Sequence, residues 1–426
     1  MTLGVRWGLG RDATLLVAGQ AIRAAGYGFT AVVLGALLAV RGYSHLRAAI
    51  FLMALIAGTA ITSIAVGLFA DRFGRRRSYA MFYVAVAVAG TVVATGAPFW
   101  MLLVVAITGT LSTDIVDNGP ATTLEQVMLA AEDAGTSAVY GRYNAVGAAA
   151  GALGALAATI PGVGRHGSGA GVHAWLFAAL VPVGLAGAIV AMSLSPAVEA
   201  AAGESMRGPG TLFRSRLGPS RAVVRRMAAL FAVDAAGGGL VTTGFLSYLF
   251  VQRYHASVVA LGWLFFAVSV VQAVSVMLAP RLAKRFGLVA TMVGTHLPSN
   301  VLLAAVALAP SFPVAALVLL ARTTLSQMDV PTRQALVMTV VTPGERTAAA
   351  AVTNTARYTV RPLGPLAAGA MQQIALGAPL VLAGIVKAGY DIALWRWARH
   401  LPLTAGNGET TTPAGGREAP LPGGAL

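Results

Sequence analysis

The chain has 426 residues, of which 57% are hydrophobic and 11% charged, with a formal net charge of +15 and no cysteine. So little polar side chain excludes a soluble domain of this size, and the composition is that of an integral membrane protein. The missing cysteines exclude disulfides, thiolate catalysis and cysteine-ligated metals.

A spanning helix needs about 20 mainly apolar residues. Twelve such segments follow in chain order, at 13–40, 47–70, 78–98, 100–128, 137–161, 172–195, 223–251, 257–279, 287–309, 312–341, 347–373 and 376–397. They are too long and continuous for barrel strands, and lipid cannot satisfy exposed backbone groups, so each is read as a helix. The first apolar segment is too long for a signal-peptide core, which predicts an uncleaved first span. The longest polar gap, Ser195 to Ser220, divides the spans six and six. It predicts an N-terminal half over 1–195, a cytoplasmic linker over 196–221 and a C-terminal half over 222–400. The tail over 401–426, rich in Gly, Pro and Thr, reads as disordered. With the N-terminus inside, nineteen lysines and arginines fall in cytoplasmic loops and only Arg41, Arg47, Arg165 and Arg253 outside, which places both termini in the cytoplasm. Topology and lipid headgroups account for the positive charge without nucleic acid.

Charged side chains within spans cost about 2.5–3.5 kcal/mol each on insertion scales and usually face a cavity or pair with one another. In chain order they are Arg23 on span 1, Asp114, Asp117 and Glu125 on span 4, Arg142 on span 5, Asp234 on span 7, Arg322, Asp329 and Arg333 on span 10, Arg357 and Arg361 on span 11, and Lys387 and Asp391 on span 12. Asp114 and Asp117 are three apart and share a helix face. Two carboxylates in low dielectric resist double ionisation, which suits a proton carrier; capping a bend at Gly119-Pro120 is the structural alternative. Asp329 and Arg333 are spaced for an internal ion pair, and Lys387 with Asp391 reads as a self-satisfied one. Asn354, Arg357, Tyr358 and Arg361 share one face of span 11, as an anion-binding lining or as partners for Asp329 or Glu345. Gly147, Gly151 and Gly154 form a small-residue face on span 5 suited to close helix packing. The six histidines are scattered and form no metal triad, which argues against a membrane-embedded enzyme.

The chain repeats itself. Gly67-Leu-Phe-Ala-Asp71-Arg72-Phe-Gly74-Arg75-Arg76-Arg77 lies between spans 2 and 3, and Ala283-Lys284-Arg285-Phe286-Gly287 echoes Ala70 to Gly74 at an offset of 213. Thr110-Leu111-Ser112 recurs as Thr324-Leu325-Ser326, offset 214, and Arg142-Tyr143 as Arg357-Tyr358, offset 215. The first motif resembles the signature loop between helices 2 and 3 of the major facilitator superfamily of secondary transporters, and its echo falls where that family carries a weaker copy. The resemblance implies twelve transmembrane helices in two pseudo-symmetric six-helix halves around a central cavity, with access alternating as the halves rock. It implies that Gly67 and Gly74 allow close packing and a sharp turn, and that Asp71 accepts bonds at the N-terminus of helix 11, with Arg72, Arg75 and Arg76 joining the gate. In the family, helices 1 and 7 line the cavity. Arg41 and Arg253 close these spans 212 residues apart, so Asp234 falls one residue from the mate of Arg23, and the two are expected to face each other across the cavity, as a breakable or a permanent pair.

The pattern departs from the family in places. Organic-phosphate antiporters use an arginine where this chain has Asp234. The antiporter Gly-Pro segment is absent from span 5, while Gly364-Pro365 lies on span 11; the arginine often found on helix 4 of proton-coupled exporters is missing. The expected protein is a secondary transporter of a small organic solute, coupled to protons and directed to efflux. The alternatives are an importer or facilitator of organic anions and, more distantly, a non-transporting scaffold or receptor. It is expected to act as a monomer without cofactor, in a bacterial cytoplasmic membrane.

Overall fold

Apolar runs punctuated by Gly, Pro, Ser and Thr fold here into a helical bundle with no strand among the described residues. The computed structural model describes residues 9–114, 119–130, 137–162, 172–200, 217–342 and 345–399, the side chains of Asp71, Ala130, Ser137, Ala138, Ala200 and Thr347 excepted. Asp117, most of the expected linker and the tail lie outside the described residues.

Span 1 is α1 (Arg11–Val40), span 2 α2 (His45–Phe73) and span 3 α3 (Arg75–Ala94). Span 4 is split into α4 (Phe99–Ile107) and α5 (Pro120–Ala130), while span 5 is α6 (Ser137–Ala157). Span 6 is a 3-10 turn (Ala174–Ala179) running into α7 (Leu180–Ser193), followed by the single turn α8 (Ala197–Ala200). In the second half span 7 is α9 (Arg221–Leu240) and α10 (Thr243–Tyr254), span 8 is α11 (Val258–Phe286) and span 9 is α12 (Leu288–Val306). Span 10 is α13 (Phe312–Ser326) and α14 (Asp329–Val340), span 11 is α15 (Arg346–Val360) and α16 (Leu363–Gln372), and span 12 is α17 (Ala378–Ala398). Eight of these crossings are long and apolar enough to span a membrane as they stand. Side-chain caps fix several starts: Ser44 accepts from the Arg47 amide at 3.3 Å, Thr242 from Phe245 at 3.2 Å and Ser257 from Ala260 at 3.2 Å. The outer surface keeps Ile61, Ile64, Leu153, Ile189, Leu308 and Leu317 exposed, a belt that lipid covers.

The internal repeat is visible in the backbone. Gly74 ends α2 and begins α3 at φ 89°, and Gly287 ends α11 and begins α12 at φ 86°. Both lie where a Cβ is disfavoured, so the repeated glycine is what allows one span to turn straight into the next. The repeated Thr-Leu-Ser triplets also land on equivalent breaks, just past α4 and at the end of α13. Close approach of helix 1 to helix 5 repeats as helix 7 to helix 11: a Cβ at Gly28 would overlap the Gly151 carbonyl, and one at Gly364 would overlap Gly239. Gly147 and Gly154 likewise rest on Gln20 and Ala25 of α1, so the small-residue face of span 5 is a packing surface.

Among the described residues, the close packing between the halves gathers at one face. Contact runs through α1 with α10, α6 with α11, and α2 with α16. Gly35 abuts Gly244 and Ser247, Gly369 abuts His45 and Ala49, and Gly262 abuts Ala155 and Thr159. Ser247 donates to the Val32 carbonyl at 2.7 Å, Tyr248 to the Tyr43 carbonyl at 3.1 Å, and His45 Nδ1 lies 3.0 Å from the Tyr248 hydroxyl. These contacts lie along the later turns of α1, α6 and α16, the starts of α2 and α11, and α10, on the face opposite α1's start and α17's end. Among the described residues, the polar contacts at the other face stay within a half: Asp12 with Ser195, Glu199 with the start of α3, and Glu345 with Gly218 and Ser220.

Replacing Gly74 or Gly287 with Ala should cost about 1–3 kcal/mol each through backbone strain. Thermal unfolding of the purified variants checks this. At Gly287 no neighbour lies within 4 Å of an added Cβ, so any loss there reports the backbone alone.

Candidate functional site

Each half encloses its own charged centre. In the first, Arg23 lies 12 residues into α1, about 18 Å from its start at 1.5 Å per residue. Its guanidinium donates to Glu125 on α5 at 2.7 Å, to Thr122 at 2.9 Å and to Gln20. Glu125 also accepts from the Tyr79 hydroxyl at 2.5 Å and from Tyr143. Arg23 is 2% exposed and Glu125 fully buried, so the charge is answered internally, with the Arg23 Nε left without an acceptor.

The second centre inverts the signs. Asp234 on α9 accepts from Lys387 on α17 and from Arg333 on α14, the latter at 3.3 Å, while Arg333 also reaches Asp329 at 2.8 Å. Arg23–Glu125 joins helices 1 and 4 across 102 residues, and Asp234–Arg333 joins the equivalent helices 7 and 10 across 99. Beyond this lies a buried group on helices 9 and 12, where Asp391 contacts His296 Nδ1 at 2.8 Å and accepts from Asn300 at 2.8 Å; His296 Nε2 is 4.0 Å from Asp234.

Two expected pairings are therefore corrected. Arg23 and Asp234 do not bridge the halves, because each finds a nearer opposite charge on its own half's helix 4 or 10. Lys387 and Asp391 do not pair along their helix; Lys387 turns to Asp234, leaving Asp391 to His296. The Asp329–Arg333 pair forms as spaced.

What joins the halves at the depth of these centres is Asp114, at the break of span 4, ion-paired with Arg361 at the break of span 11. Their side chains are 25% and 33% exposed, so the pair is reached by solvent from the parted face. Arg361 closes the face of α15 that carries Asn354, Arg357 and Tyr358. Asn354 and Tyr358 are exposed there.

The family profile described as Major Facilitator Superfamily matches residues 16–365. The chain belongs to the major facilitator superfamily. An uncharacterized membrane protein of Saccharomyces cerevisiae, YJR124C, is 25% identical over 391 residues, covering 84% of this chain and 87% of that one. Among solved structures, the nucleoside transporter NupG matches with TM-score 0.68 at 14% identity over 90% of this chain and 97% of its own. The inward-open xylose transporter XylE from E. coli matches at 0.66 and 15% identity, covering 90% and 95%. The human organic anion transporter MFSD10 matches at 0.55 and 17% identity, covering 90% and 99%.

Among the described residues, the signature loop of this superfamily member is held by contacts within its own half. Glu199 of α8 accepts from the Arg75 and Arg76 amides at 2.7 and 3.0 Å, placing a carboxylate on the N-terminus of α3, where the helix dipole favours it. Arg76 donates to the Met192 carbonyl at 2.7 Å and the buried Arg75 lies against Val198, both in the same half, while Arg72 is exposed. Gly67 lies within α2 and Gly74 at its end. Asp71 stands in the last turn of α2, its side chain outside the described residues. Glu345 plays the corresponding part ahead of α9, and hydrogen bonds from Ser220 and Thr342 hold its carboxyl below the ordinary value.

Tyr79, Tyr143, His296 and Asn300 escaped the sequence reading, since nothing in a single sequence separates a buried polar aromatic or amide from a packed one. Glu125 was visible as an intramembrane charge but carried no spacing that named its partner. Substituting Glu125 with Gln should destabilise the protein by about 3–5 kcal/mol, because Arg23 would stay buried without its counter-charge. Removing both charges, Arg23→Gln with Glu125→Gln, should recover much of the loss. Thermal unfolding of the two single variants, Arg23→Gln and Glu125→Gln, and of the double variant gives this coupling directly.

Proposed function

We propose that the chain is a secondary active transporter that moves a small organic solute by alternating access, with Asp114 coupling movement to protons. The observation that carries this reading is the Asp114–Arg361 pair, which spans the two halves at the apex of the cleft. Every other buried ion pair described here lies within one half, so the halves can rock without opening those.

The excess of arginine in the loops of the parted face supports placing that face, and both termini, in the cytoplasm. The state described is then inward-facing, in keeping with the likeness to inward-open XylE. The N-terminal half to about residue 195 and the C-terminal half from about residue 222 are the bodies that move. NupG is named for nucleosides and XylE for xylose, which supports a small polar organic solute.

A charged Asp114 holds Arg361 across the apex; protonation removes its charge and weakens the latch, so proton arrival and separation of the halves are linked. Arg361 is then left for a solute or for solvent. The same exchange run backwards would return the proton.

The test uses the natural absence of cysteine. Single cysteines are placed in the cleft at Tyr358 and in the closed seam at Ser247, and maleimide labelling is followed against pH. Acidification should slow labelling at Tyr358→Cys and quicken it at Ser247→Cys. Adding Asp114→Asn should abolish that pH response, since the titratable group is gone. An unaltered response in the Asn background would remove Asp114 from the coupling step, and no response in either background would describe a facilitator.

A further inference from the structure

The repeated loop motif is built around a cavity in the first half. Arg72 and Phe73 from the last turn of α2, Arg76 and Arg77 from the first turn of α3, Met192 of α7 and Glu199 of α8 line an open cavity of about 500 Å³ at the Gly74 turn. Its size is that of a small-ligand pocket. Glu199 is already engaged, since it accepts from the Arg75 and Arg76 amides. Arg76 is fixed along one wall by donating to the Met192 carbonyl at 2.7 Å. Arg72 and Arg77 are exposed and make neither hydrogen bond nor ion pair among the described residues.

The second copy of the motif separates what the turn requires from what the cavity requires. Gly287 adopts nearly the same φ, 86° against 89° at Gly74, yet it is followed by Leu288, Val289 and Ala290 where Gly74 is followed by three arginines. No atom lies within 4 Å of a Cβ added at Gly287, whereas Glu199 lies 3.2 Å from one at Gly74. The turn therefore forms without the arginines. A bias toward positive loops on this face accounts for the sign of the charge, but not for its collection around one cavity.

The cavity also opens onto the lipid belt. Phe73 and Met192 line it and are 64% and 58% exposed, and Phe69 and Ile189, about one turn deeper on the same two helices, are exposed as well. An occupant with an anionic head and an apolar body satisfies both surfaces. Guanidinium forks match the paired oxygens of a phosphate, and a basic pocket between spans suits a phospholipid headgroup.

We propose that this cavity binds an anionic phosphate ester, with Arg72 and Arg77 donating to the phosphate and Arg76 forming its wall. The apolar lip favours a phospholipid over a soluble ester. None of the lining residues belongs to the Asp114–Arg361 pair, so the site stands or falls independently of the transport reading.

Native mass spectrometry of the full chain, released from detergent, tests this with dioleoyl phosphatidylglycerol against dioleoyl phosphatidylcholine, whose headgroup has no net charge. Phosphatidylglycerol should bind about tenfold more tightly or better. Arg72→Gln combined with Arg77→Gln should remove that preference, while Arg72→Lys combined with Arg77→Lys should keep part of it, because a point charge still attracts phosphate. Lys284→Gln combined with Arg285→Gln takes two charges from the equivalent turn of the second half and should change nothing. Displacement of the lipid by glycerol 3-phosphate would identify a site for the phosphate alone, open to soluble esters; a lipid that resists displacement would identify the phospholipid as occupant. The proposal is overturned if phosphatidylglycerol is not preferred, if the preference survives in the Arg72 and Arg77 glutamine variant, or if it falls equally in the Lys284 and Arg285 variant, which would mark unspecific attraction to a basic face. Lipid-free thermal unfolding of the variants, expected within about 2 °C of the unaltered protein, separates lost binding from lost folding.

Discussion

Charge in a bilayer has to be answered close by, and this requirement arranges the molecule. An arginine or aspartate at mid-membrane depth is tolerated only when an opposite charge and enough hydrogen bonds surround it. Here the answer is found within each half: Arg23 with Glu125 and its tyrosines, Asp234 with Lys387 and Arg333. Because these centres are internally satisfied, each half is a self-contained body. The seam on the far face is then made of what two such bodies need for reversible contact, small residues and backbone acceptors at Gly35, Gly244, Gly262 and Gly369.

The two centres show what duplication preserved. Helices 1 and 4 in one half, and 7 and 10 in the other, each contribute one member of a buried pair, but the cation lies on helix 1 in the first and on helix 10 in the second. The pairing scheme survived while the signs exchanged. The second centre adds Lys387 and Asp329 to its pair, so its charges form a larger network than the first.

Much of the fold was legible in the sequence because its signals are local. Apolar run length marked the spans, and the glycine of the repeated loop motif marked both sharp turns, Gly74 and Gly287, through a backbone conformation that only glycine adopts readily. The Thr-Leu-Ser repeat, legible in the sequence only as a sign of duplication, falls at the breaks of spans 4 and 10. Pairing partners were not legible, because they depend on how helices far apart in sequence are rotated against each other. The 212-residue offset placed Asp234 opposite Arg23 in a symmetry sense, yet each charge meets a nearer partner inside its own half. Spacing alone offered Lys387 to Asp391, but His296 and Asp234 compete for them and the tertiary contacts win. Helical spacing did succeed for Asp329 with Arg333, where both partners sit on one helix, and the face containing Arg357 and Arg361 was recognised for the same reason.

The central claim is that two rigid halves, linked at mid-depth by one exposed ion pair, exchange which face is open. Spin-label distance measurements on paired cysteines test it most directly, with Arg72→Cys and Lys284→Cys across the parted face, and Leu46→Cys and Ile374→Cys across the seam. The account predicts a long distance for the first pair and a short one for the second at neutral pH, with acidification shortening the first and lengthening the second in the same molecules. Distances that stay fixed, or that change on one face without the reciprocal change on the other, would contradict it.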